Sequence, residues 1–228
     1  MQEFQLVPSS ALGHRAKFID APTEVEARLA SLHPSLSSKL LRDAILAGLS
    51  ARNDVTRASA PTAAGVQQWL KTVEDLRTLL GAQQWHIHEQ KNCPFITSSD
   101  RSISIVVMTG NNETGRDGLE DPTNQAEKGA VAEGYIQKNQ QLELFNQESL
   151  SLVKNNKETQ VWALLYHYDK TLNEVRYELS LPTGFNKKKI TSWGERIGLG
   201  KIANNPLDFN ILNDELIEPA SVEVIPKS

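Results

Sequence analysis

An apolar, β-branched stretch, Ser102–Met108, runs into Gly110-Asn-Asn-Glu-Thr-Gly115, where two glycines stand at the spacing of a phosphate-binding loop. Backbone N–H groups in such a turn can wrap an anion, so Gly110, Asn111, Asn112 and Gly115 are candidate phosphate contacts, with Arg116 and Lys128 as the nearby charges. The pattern then departs from a nucleotide P-loop. Arg116 stands where a lysine is expected, Asp117 replaces the magnesium-binding hydroxyl, and Gly118 and Pro122 oppose an immediate helix start. Two readings remain: an irregular phosphate or acidic metal site drawing on Glu113, Asp117, Asp121 and Lys128, or a solvated connection. A polar loop of this length is uncommon without a role.

His86 and His88 lie two residues apart. In an extended strand they share a face and can chelate a divalent metal if a neighbouring strand supplies a third ligand, His167 or Glu178. No His-Glu-x-x-His or cysteine cluster supports this, and a pair of half-exposed sheet histidines is the plainer reading. Arg176 and Glu178 are spaced to sit together on the polar face of a strand. The planar fork of arginine suits a substrate carboxylate or phosphate, but the same pair also reads as a cross-strand ion pair. Lys187, Lys188 and Lys189 follow Phe185 and can grip a phosphate backbone or an acidic partner, or form a solvated turn. Nucleophile arrangements are missing. There is no Gly-x-Ser-x-Gly, Cys93 precedes Pro94 with no cue for a base, and Glu174-Val-Arg-Tyr-Glu178-Leu-Ser carries serine where nuclease carboxylates need lysine. No characterised family is recognisable in these stretches.

The elements that must position these residues fall into two parts. Helices are expected at about Pro22 to Leu32, from Pro34 to about Arg52, and after a Thr62 cap. In the last of these, Val66, Trp69, Leu70, Val73, Leu76 and Leu80 form one stripe that ends at Gly81. From Trp85 the pattern changes to short β-branched or aromatic runs, Trp85–Gln90, Phe95–Ser98 and Ser102–Met108, which read as an antiparallel meander. A helix is expected from near Asn124, with the glutamine-rich stretch around Asn139 as a breaking point. Val161–Tyr168 is apolar at nearly every position, as in a central strand covered on both faces. Val175–Leu181 alternates, which places Arg176, Glu178 and Ser180 on a face open to water or a site. Ile190–Leu199 and Val222–Ile225 are further strand candidates.

These expectations add up to an α+β fold: an N-terminal helical segment, 1–83, packed on a mainly antiparallel β-sheet domain, 84–228, with one crossing helix. Regular strand and helix alternation is missing, which argues against a doubly wound sheet. The apolar share of 39% and charged share of 23% match an ordinary globular chain, and a single cysteine excludes an intrachain disulfide. Glu3 near the N-terminus and the absence of a long apolar run point to a cytoplasmic protein without membrane contact. The net charge of −4 divides into +1 for 1–83 and −5 for 84–228, so nucleic-acid binding is confined to a local patch such as Lys187–Lys189 or to a larger complex. The leading functional expectation is a non-catalytic accessory or adaptor subunit that docks on protein partners and needs no cofactor. The alternative is an enzyme or sensor that uses the 109–123 loop with a nucleotide or divalent metal.

Overall fold

Alternation along Val175–Leu181 divides one strand into two chemically opposite faces, and the sheet is built around that division. The computed structural model describes residues 15–148 and 159–205. It contains strands β1 (Lys17–Ile19), β2 (His86–Gln90), β3 (Cys93–Thr97), β4 (Ile103–Thr109), β5 (Gln160–Asp169), β6 (Glu174–Asn186) and β7 (Lys189–Ala203). Helices α1 (Pro22–Leu32), α2 (Ser38–Asn53), α3 (Ala63–Gly81) and α4 (Ala130–Glu148) complete the described chain. This is an α+β architecture with one seven-stranded sheet in the order β1-β7-β6-β5-β4-β3-β2.

The sheet is mostly but not wholly antiparallel. β2, β3 and β4 form the expected meander. β4 and β5 are parallel, because the chain between them crosses through α4 and returns in the same direction. β1, too short at three residues to show an alternation in the sequence, pairs in parallel with β7. β5 is the fourth strand of seven and is central, as its unbroken apolar run requires. Trp162, Leu164 and Tyr166 join the cluster formed with Leu29, Leu41, Ile45, Leu76 and Leu80 of the first three helices. Val161, Ala163 and Leu165 join a second cluster with Ala132, Tyr135 and Ile136 of α4.

Three expectations need correcting. α4 begins at Ala130 rather than near Asn124, because Asn124 is held in an irregular turn: its amide donates to Ala126 O and Lys188 O and accepts from Ile190 N. The helix also runs through Asn139 without breaking. There the buried Asn139 side chain donates to Val161 O and Pro182 O and accepts from Val161 N, which ties α4 to β5 and β6. On α3, Val66 and Leu70 are 48% and 47% exposed, while Gln68 and Thr72 are buried. Gly48 of α2 causes this rotation. A Cβ there would lie 2.7 Å from Gln68 O, so the two helices approach along the row that carries Gln68 and Thr72. The strand expected at Val222–Ile225 lies outside the described residues. No helix among the described residues is long and apolar enough to cross a membrane.

Candidate functional site

The polar face of β6 does not open to water. Arg176, Glu178 and Ser180 are buried beneath the chain's own loop between β4 and α4. Glu178 Oε2 accepts the Gly115 N–H at 2.7 Å, and its carboxylate takes the Arg196 guanidinium through Nε at 3.0 Å and Nη2 at 2.7 Å. Arg196 also donates to Arg116 O and Asp121. Arg176 donates to Thr114 O, to the carbonyl and side-chain oxygens of Asn112, and to Asp169 and Glu174. Asn111 braces the loop from within, its side-chain oxygen accepting from the Glu113 and Thr123 N–H groups. Gly110 forms an isolated bridge with Asn124.

The residues expected to cradle a phosphate therefore converge, but on one another. Gly115 has φ +70°, and a Cβ at that position would stand 3.0 Å from Arg176 Cβ and 3.2 Å from Tyr177 N. The glycine serves close packing of the loop on β6. Glu178 takes the Gly115 N–H that the sequence spacing offered to a phosphate.

The histidines are not brought together as one set. His86 and His88 line a cavity between β2, β3 and α4, where His88 stacks on Phe95 at 5.1 Å between ring centroids. β3 and β4 separate them from His167 of β5. No cluster of three or more His, Cys, Asp or Glu able to hold a metal occurs among the described residues. In the β6–β7 turn, Lys187 and Lys188 adopt φ +46° and +64°. Lys188 pairs with Glu127 at 2.8 Å, and Lys189 donates to Asn124 O and Gln125 O. Two of the three lysines are thus tied to the chain's own loop.

The remaining candidate, Lys128, belongs to a different site. A crevice of about 590 Å³ opens at the carboxyl ends of the parallel pair β4 and β5, between the start of α3 and the end of the loop. The carboxyl edge of parallel strands is the usual ligand position in open sheets with crossover helices. Arg52, Lys128 and Lys170 line the crevice together with His167, Gln68, Trp69 and Tyr166, and no carboxylate does. Arg52 is held with its guanidinium 3.8 Å from the Tyr168 ring centroid and donates to Gln68 Oε1 at 3.3 Å. That contact directs the Gln68 amide nitrogen elsewhere. Five buried side-chain polar atoms lack a partner among the described residues, and two of them, Gln68 Nε2 and Tyr166 Oη, belong to residues lining this crevice.

The N-terminus of α3 faces the same space, with Thr62, Ala64, Gly65 and Val66 in its wall. Thr62 makes no side-chain cap, and the first turn carries no acidic residue. Ala63 and Val66 have backbone partners, whereas the Ala64 and Gly65 N–H groups have none among the described residues. A Cβ at Gly65 would meet nothing within 4 Å. Burial lowers the Lys128 pKa, and it also lowers that of His167 against the opposing pull of the Gly110 carbonyl. Because that carbonyl can only accept, His167 Nδ1 carries the proton in the bond of 3.1 Å, leaving Nε2 as the ring's acceptor in the neutral form.

Of the crevice residues, sequence spacing singled out only Lys128 and His167. The rest carried no local signal, since Gln68 lies off the apolar stripe that the sequence shows on α3 and is buried only by the approach of α2. Comparison with known proteins assigns no ligand, since the chain matches no family model, no curated protein and no solved structure.

Proposed function

We propose that the protein binds a phosphate-bearing small molecule in the crevice at the carboxyl ends of β4 and β5, as a sensor of that molecule or an enzyme acting on it. The observation that carries this reading is the one-sided chemistry of the wall: Arg52, Lys128 and Lys170 without a single carboxylate, beside the uncapped start of α3. Cations left without anions at a helix N-terminus form a ready anion site. Gln68 Nε2 and Tyr166 Oη, buried and without a partner among the described residues, are donors on residues of this wall that an entering acceptor would satisfy.

The test is thermal unfolding of the full chain with sulfate, phosphate and tripolyphosphate at constant ionic strength. Binding to the native state alone stabilises by about 2.7 kcal/mol at a hundredfold excess over Kd. An increase in Tm that disappears in Arg52→Ala and Lys128→Gln supports the reading. A flat response to all three anions ends it.

One observation favours a second reading, a docking subunit. Val66 and Leu70 are exposed one turn apart on α3 beside the crevice mouth. Replacement of Leu70, which does not line the crevice, by aspartate should then abolish retention of a protein partner at low salt while the anion response persists. A native protein that runs alone as a monomer removes this reading.

A further inference from the structure

A second cavity, of about 380 Å³, adjoins the cationic crevice, and Trp69 and Lys128 line both. Its other walls are largely apolar: Pro94, Val107 and Met108 from the sheet, Val131 and Tyr135 from α4, with Asn92 at the β2–β3 turn. The Trp69 indole N–H donates to Val107 O at 3.1 Å, which fixes the ring's orientation where the two spaces meet. Trp69 lies four residues after Gly65 on the same helix, so about 6 Å of helix axis separates the uncapped first turn from the indole. Lys128 stands at the junction, and no carboxylate is paired with it among the described residues. The one acidic residue lining the second cavity, Glu127, is paired with Lys188.

Resting on the phosphate reading above, we infer that the ligand is a mononucleotide. Its phosphates lie in the crevice at the start of α3, and its base occupies the adjoining cavity against Trp69. A polar, donor-rich space joined to a largely apolar one at Lys128 and Trp69 matches a molecule with an anionic end and a planar end. A simple phosphorylated sugar would leave the second cavity unused. Stacking on an aromatic face tolerates any base, so the indole sets the preference for a ring rather than for one ring. Lys128 serves the phosphate nearest the sugar, where the two spaces meet.

The experiment titrates the full chain with tripolyphosphate and, separately, with ATP, GTP, CTP and UTP, following heat of binding and tryptophan fluorescence. The tightest nucleotide is expected to bind at least about tenfold more strongly than tripolyphosphate, equivalent to about 1.4 kcal/mol. Trp69→Leu should erase that margin. Ala130→Trp places bulk at an exposed position lining the second cavity and should do the same without touching α3. If all four nucleotides bind no better than tripolyphosphate, the mononucleotide inference fails and the phosphate reading stands. Binding of none of the five ligands overturns both. Equal loss of nucleotide and tripolyphosphate in Ala130→Trp overturns the separate ring subsite.

Discussion

Arg196 and Glu178 form a two-pronged ion pair in which both side chains are fully buried, with Nε–Oε1 at 3.0 Å and Nη2–Oε2 at 2.7 Å. The carboxylate also accepts from Gly115 N and from Ser180 Oγ, so a single acid on β6 fastens β7, the neighbouring strand position and the loop after β4. A buried pair of this kind is strongly coupled to its surroundings, because removing one member leaves an uncompensated charge in a poorly solvated place.

Glu178→Ala should therefore destabilise the fold by about 3–5 kcal/mol, read as a lowered midpoint in urea unfolding. Replacing both members by apolar residues, Glu178→Leu with Arg196→Met, should recover much of that loss. A single variant with an unchanged midpoint would show that the pair does not fasten the loop.

Tyr166→Phe should have opposite effects on stability and binding. Removing a buried hydroxyl that has no partner is expected to raise stability by about 1 kcal/mol, while the crevice loses a donor and anion affinity falls. Thermal unfolding with and without sulfate measures both. A variant that is less stable and binds sulfate as before would mean that the hydroxyl has no place in the crevice.

Titration gives a third expectation. The native fold favours neutral His167, whose pKa lies below its ordinary 6.5 mainly through burial. Its contribution to stability is full above that ordinary value and is lost as pH falls through the lower, folded one. Sulfate keeps its charge throughout this range. Its affinity should rise as His167 gains a proton at the acid end, and fall at the alkaline end as Lys128, lowered from 10.5, gives up its own. Calorimetric titration across pH should show both limbs, with Lys128→Gln losing the alkaline one.

Asn139→Leu should cost at least about 2 kcal/mol, since it strands Val161 N, Val161 O and Pro182 O inside the packing of α4 on the sheet. Denaturant unfolding with an unchanged slope and an earlier midpoint is the expected result. An unaltered midpoint would remove the anchoring role.

Much of the scaffold was legible because it is written in local periodicity. The apolar run of Val161–Tyr168 determined a strand covered on both faces, the alternation of Val175–Leu181 determined one polar and one apolar face, and the turn residues around Asn92 and Asp100 marked the meander. Periodicity shows that a face is covered without showing what covers it. Arg176 and Glu178 therefore read as a cross-strand ion pair or a ligand site, and only the packed loop made them an internal brace. The crevice was less visible still. Arg52, Gln68, Lys128 and Tyr166 come from two helices, a loop and a strand far apart in the chain, and a polar residue buried by tertiary packing has the same local signature as one facing water. Only tertiary structure brought them together, because long-range contacts decide which charges face one another and which are left without a partner.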